Sequence, residues 1–154
     1  MRGAPADTTV KHLLVAEPNP ALSASLKRDY GERLAFVGCR DFHCARTHLL
    51  ESPPDVLVTN LRLVDYNGLH LVLLAQAANP RTRCIVHTDR PDLLLIREAQ
   101  ANGAFFEYTA RLPQSLAGYL DARLPDRDRR DPERVDRRIA VRGGRRTADH
   151  AALV

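Results

Sequence analysis

The sequence predicts an α/β domain: a doubly wound, five-stranded parallel sheet between two layers of helices. Two observations carry that expectation. Short β-rich runs alternate with amphipathic stretches five times between residue 11 and about residue 124. The runs are almost uniformly apolar, as in Leu13-Leu14-Val15 and Val56-Leu57-Val58, which implies burial on both faces and so a parallel sheet covered by helices. Right-handed crossovers then give the strand order 2-1-3-4-5.

Each element has its own local signal. His12-Leu13-Leu14-Val15 reads as the first strand. Asn19-Pro20 is an N-cap followed by proline at the first helical position, and the helix runs through Leu22, Leu26 and Tyr30. Leu34-Ala35-Phe36-Val37 is the second strand, and Asp41 caps a helix carrying Ala45, His48 and Leu49. Val56-Leu57-Val58 is the third strand. After the turn signal Asp65-Tyr66-Asn67-Gly68, a helix is marked by Leu69, Val72, Leu73 and Ala77 and closed by Asn79-Pro80. Cys84-Ile85-Val86 is the fourth strand. Pro91 opens a helix with Leu94, Leu95 and Ala99, which Asn102-Gly103 ends. Phe105 to Thr109 is the fifth strand, and Leu116, Leu120 and Leu124 suit a last helix. In a sheet of this flavodoxin-like order the site lies at the carboxyl ends of the strands, where the order reverses between the first and third. Glu17 and Asn60 fall there.

Composition bounds the rest. The chain of 154 residues suits one domain, 11–124, with an N-terminal extension, 1–10, and an arginine-rich tail, 125–154. The tail holds nine arginines and six acids and has almost no apolar periodicity, so it reads as disordered or weakly helical. Interspersed acids and the absence of aromatic residues weaken a nucleic-acid reading of it, which stays open as an alternative. No run approaches the roughly 18 apolar residues of a membrane span, and Met1–Thr9 lacks the apolar core of a secretory signal. The expected compartment is the cytoplasm, with no membrane partner. Cys39, Cys44 and Cys84 are then expected to be small buried hydrophobes in a reducing environment, without disulfide or zinc. His12, His43, His48 and His70 show no metal spacing, and His87 is expected on the face of its strand away from the site.

The segment Pro54-Asp55-Val56-Leu57-Val58-Thr59-Asn60-Leu61-Arg62-Leu63 resembles the third strand of a two-component response-regulator receiver domain, of the CheY-like superfamily. Ala16-Glu17 is similar to the acidic pair after the first strand, Thr88 to the switch hydroxyl, and Gly103-Ala104 to the pair before the fifth strand. The resemblance implies a phosphoacceptor aspartate where this chain has Asn60. A carboxylate attacks phosphorus to give an acyl phosphate, and a neutral carboxamide does not. Ala16 has lost one acid of the pair, and Glu17 is longer than aspartate. The expected lysine falls on Ala110 without a gap or on Arg111 with one insertion, and no lysine follows Lys27. The matching aromatic switch position is then Glu107 or Tyr108.

The expectation is a degenerate pocket of Ala16, Glu17, Asn60, Thr88 and Ala110, with no catalysis and no magnesium, Glu17 being a residual ligand at best. Glu107, Tyr108 and Arg111 are the candidate interaction surface. The implied function is a stand-alone pseudo-receiver in a bacterial two-component-type phosphorelay, meeting a kinase or downstream regulator without phosphorylation. A small-ligand sensor using the vacated pocket and a homodimer are open alternatives.

Overall fold

The computed structural model of the chain describes residues 10–122. The expected extension before Val10 and the tail, with Leu124, lie outside them. Seven strands and five helices follow in order: β1 His12–Ala16, α1 Pro20–Tyr30, β2 Ala35–Cys39, α2 Phe42–Glu51, β3 Val56–Asn60, β4 Arg62–Leu63, β5 Tyr66–Asn67, α3 Leu69–Ala78, β6 Arg83–Thr88, α4 Leu93–Ala101, β7 Phe105–Tyr108, and α5 Leu112–Asp121 after a short 3-10 turn Thr109–Arg111. Five strands form one parallel sheet in the order β2-β1-β3-β6-β7, the doubly wound order expected. No helix among the described residues is long and apolar enough to cross a membrane.

Alternation along the apolar strands feeds two cores. Leu14, Leu57 and Val86 face α2, α3 and α4 with Leu49, Leu71 and Ile96. Leu13, Val15, Val58 and Ile85 face α1 and α5 with Leu26, Leu116 and Tyr119. Polar ties fix the second layer. The Tyr30 hydroxyl donates to the Pro113 carbonyl, 3.1 Å, joining α1 to α5. The Arg83 guanidinium donates to the carbonyls of Tyr119 and Leu120, placing a cation at the carboxyl end of α5.

The caps at Asn19 and Asp41 form as expected, their side chains accepting from Ala21 N–H and Cys44 N–H. Three helical details differ. Asp92, not Pro91, begins α4, because its carboxylate accepts from both Leu94 and Leu95 N–H. Leu94 in turn is exposed. In α3 the buried stripe is Leu69, Leu71, Val72 and Ala75, with Leu73 exposed. That helix is apolar at almost every position, so its spacing does not single out one face.

The segment 65–68 is not a simple turn. Arg62–Leu63 and Tyr66–Asn67 pair as a small antiparallel hairpin, and Val64 takes the positive φ of 49° at its tip. Gly68 instead precedes α3 in helical conformation. It is required for close approach: a Cβ there would lie 2.3 Å from the Asn60 carbonyl oxygen and 2.8 Å from Thr59 Oγ1.

The cysteine expectation is corrected in part. Cys39 and Cys44 are joined as a disulfide, with Cα atoms 5.6 Å apart. The connection from β2 to α2 is so short that the last residue of the strand meets the first turn of the helix. Cys84 is a buried thiol, as expected.

Gly68→Ala is expected to lower stability by about 1–3 kcal/mol, the usual range for forcing atoms into filled space. Urea unfolding measures it. A neutral result would show that the β3–α3 junction yields easily.

Candidate functional site

Parity along the parallel strands builds a polar row at the carboxyl edge of the sheet. Asn60 of β3 is in register with His87 of β6, and His87 with Glu107 of β7. Ala16 of β1 is in register with Thr59, which brings the next residue, Glu17, beside Asn60. All four side chains emerge on the face that carries α1 and α5. Glu17, His87 and Glu107 are buried, at 3%, 0% and 0% exposure, so their polar atoms need partners within the protein.

Those partners are supplied in sequence across the row. The Asn60 amide nitrogen donates to both Glu17 carboxylate oxygens, at 3.1 and 3.4 Å. Its Oδ1 accepts from Arg62 N–H at 2.9 Å, which fixes which end of the amide faces the acid. Glu17 also accepts from Asn19 N–H, 2.9 Å. His87 Nε2 lies 3.0 Å from Glu17 Oε2. The approach is out of line for a hydrogen bond, so it is a contact of charge and dipole. His87 Nδ1 is bonded to the Thr109 hydroxyl, 2.9 Å. Glu107 accepts from the Tyr119 hydroxyl at 3.1 Å and from Tyr108 N–H at 2.8 Å.

Burial opposes the charge on Glu17. The His87 contact, the Asn19 N–H, the charge of His87 and the Asn60 amide outweigh it, and they hold the carboxyl below the ordinary glutamate range.

Several expected site residues stand elsewhere. His87 was expected on the far face and instead belongs to the row, because it shares register with Asn60. Thr88 therefore points the other way. Its hydroxyl bonds Arg90, donating to the carbonyl at 3.0 Å and accepting from the N–H at 3.1 Å. Ala16 is fully buried in the core that faces α2 and α3. Neither Ala110 nor Arg111 enters the pocket. Both are exposed on the 3-10 turn, and Thr109 is the residue that reaches in. Glu107 is buried rather than on a surface, and Tyr108 is half-buried against Phe106. Sequence reasoning missed His87, Thr109 and Glu107 as members of the site. The available signal was parity, since Val58 to Asn60 and Ile85 to His87 are equal steps along paired strands.

Solved structures match this architecture. The receiver domain protein (CheY-like) of Methanospirillum hungatei JF-1 superposes with a TM-score of 0.68 at 17% identity, over 73% of this chain and 91% of that one. A Burkholderia pseudomallei response regulator, solved with a phosphorylated aspartic acid, calcium ion and citrate, gives 0.66 at 20% identity, over 73% and 67%. The beryllofluoride-activated NtrC4 receiver domain dimer gives 0.62 at 18%, over 71% and 96%. The chain has the receiver fold of CheY-like response regulators. No family model and no curated protein matches its sequence.

The donors at the pocket fit a magnesium ion poorly. Magnesium needs several hard oxygens in near-octahedral array. Asn60 turns its nitrogen, not its oxygen, toward Glu17, and Glu17 is already engaged by Asn19, Asn60 and His87.

Two predictions follow from the row. Because the Glu17 carboxyl titrates lower in the folded chain than in the unfolded one, its contribution to stability is fully present above about pH 4.3. It is lost as the pH falls through the folded value. Glu17→Gln is expected to cost about 1–3 kcal/mol at pH 7, with the deficit shrinking in acid. Unfolding of both proteins across pH 3–7 checks this, and parallel curves would refute it.

Asn60→Asp would set two carboxylates about 3 Å apart, where like charges cannot both ionise readily. A stability loss at pH 7 is expected. Adding Glu17→Gln should relieve it, and a thermodynamic cycle measures the coupling.

Proposed function

We propose that this chain is a signalling module of the receiver class that engages a partner protein without acyl-phosphate chemistry. The observation that carries the reading is the bond from the Asn60 amide to both oxygens of Glu17. A residue whose nitrogen is committed to an internal acid has no nucleophilic oxygen to offer a phosphoryl group. The residues at positions 16 and 110 add to it: alanine at both supplies neither the second acid of the pair nor the lysine where the resemblance places them. The reading makes the chain a binding module rather than an enzyme, working in the cytoplasm with a kinase or a downstream regulator.

The contact surface proposed is the one formed by α4, β7 and α5. Tyr108 and Arg111 remain its candidate anchors, joined by the exposed Leu93 and Leu94 at the start of α4. Glu107 is withdrawn from it. A small ligand in the vacated pocket is disfavoured, because Glu17 is already engaged there by the Asn60 amide, the Asn19 N–H and the His87 contact. The nucleic-acid alternative rests on residues outside those described.

Amide spectra recorded with and without beryllofluoride and magnesium are expected to superimpose. Site-localised shifts at Glu17, Asn60 or Thr88 would sink the proposal. Asn60→Asp is expected to label at most weakly with acetyl phosphate, since the second acid and the lysine are still missing. For the surface, Tyr108→Ala with Arg111→Glu should abolish capture of the partner while far-UV and thermal signals stay native. Aromatic and arginine side chains dominate interface energetics. Undiminished capture would place the contact elsewhere.

A further inference from the structure

Cys39 and Cys44 lie away from the polar row. Cys39 ends β2 and is 3% exposed, while Cys44 sits in the first turn of α2 and is partly accessible. The backbone holds their Cα atoms 5.6 Å apart, in the range a disulfide spans without movement. His48 follows Cys44 by one helical turn on the same face, and its ring nitrogen is within 4.8 Å of the sulfurs. One partly accessible cysteine, one buried cysteine and a nearby imidazole form an asymmetric group. The start of a helix favours thiolate, and a nearby imidazole nitrogen offers the thiol's proton an acceptor. The Asp41 carboxylate, which caps the same helix through Cys44 N–H, offsets part of that effect.

We propose that Cys39 and Cys44 are a reversible dithiol/disulfide site, oxidised by low-molecular-weight disulfides, with Cys44 the attacking sulfur and Cys39 the resolving one. Cys44 thiolate attacks one sulfur of a glutathione disulfide, forming a mixed disulfide and releasing one glutathione thiolate. Cys39 thiolate then attacks the Cys44 sulfur, closing the intramolecular bond and releasing the second glutathione. Two protein thiols are oxidised and one glutathione disulfide is reduced to two thiols, the two protons lost by the protein passing to the two released glutathione thiolates.

A metal reading of the same residues is weaker. The donor group among the described residues is Cys39, Cys44 and His48, and structural zinc sites use four protein ligands.

The site also has a route to the polar row. The Cys39 carbonyl accepts from Glu17 N–H at 2.8 Å, so the strand end that carries the disulfide also positions the acid of the pocket. This proposal does not depend on the functional reading above.

The test uses the full chain, reduced and then equilibrated in glutathione redox buffers, with alkylation and mass spectrometry as readout. The expected product is one Cys39–Cys44 bond, reversible on adding reduced glutathione, with Cys84 alkylated only after denaturation. Single variants separate the roles. Cys39→Ser should accumulate a glutathione mixed disulfide on Cys44. Cys44→Ser should form its mixed disulfide on Cys39 at least about tenfold more slowly, because reactivity follows accessibility and thiolate character. Equal rates would overturn the assignment of roles. A pair that stays reduced in fully oxidised glutathione would overturn the site. So would a reduced chain that binds one equivalent of zinc and then resists oxidation. The Glu17 amide resonance should shift between the two forms, and an unmoved resonance would remove the link to the pocket.

Discussion

The carboxyl edge of the sheet depends on which end of the Asn60 amide faces Glu17. The nitrogen faces it, because Arg62 N–H holds the oxygen. A buried carboxylate is costly unless hydrogen bonds and opposite charge surround it. Glu17 meets that condition only as the common acceptor of Asn60, Asn19 N–H and the dipole or charge of His87. A carboxylate at position 60 would turn the same geometry from attraction to repulsion. The residue on which the proposed loss of phosphoryl chemistry rests is therefore also the residue that lets this pocket close on Glu17.

The fold supplies the rest by register. Four adjacent parallel strands end with a polar residue on the face that carries α1 and α5, where Glu17, His87 and Glu107 are buried and Asn60 is partly so. The polar groups at the end of the row behave consistently with this. Glu107 takes the Tyr119 hydroxyl, and that hydroxyl also donates to the Phe106 carbonyl at 3.1 Å, tying α5 to β7 at the pocket's edge. Removing the Asn60 amide or the Tyr119 hydroxyl would leave a buried carboxylate short of a hydrogen bond, so these contacts hold the row in place. Gly68 enters the same account from below: only a residue without Cβ lets the hairpin and α3 approach the Asn60 carbonyl.

The architecture was legible in the sequence because apolar strands and capped helices are local signals. Leu13 to Val15, Val56 to Val58 and Cys84 to Val86 are buried wherever they are read, and Asn19 and Asp41 announce helices by their own side chains. The site was legible only in part. Asn60 and Glu17 were placed at the switch point by topology alone, and the structure brings them together. His87 was misplaced because alternation was counted from Thr88, the residue taken to face the site, when register is set by the neighbouring strand. Glu107 was misplaced for a related reason. An ungapped count put it at the switch position of the resemblance, and nothing in that count shows that the Tyr119 hydroxyl, twelve residues away in sequence, meets it. The disulfide was hidden in the same way, since the spacing of Cys39 and Cys44 has meaning only once the strand and the helix are folded against each other.

A receiver-type switch is a population shift between two states, and a trigger moves it only by binding one state better than the other. A pocket whose acid is already engaged by the Asn60 amide and the Asn19 N–H gives an added ligand little to gain by differential contact at that acid. Under the proposed function the resting arrangement is the working arrangement, and regulation would enter from outside the row. The only covalent handle that the described residues place near it is at the end of β2, where the carbonyl that receives Glu17 N–H belongs to Cys39. On the proposed readings, input would move from phosphoryl chemistry at β3 to the end of β2, two strands away in the sheet, and the backbone of the sheet would join it to the surface of α4, β7 and α5.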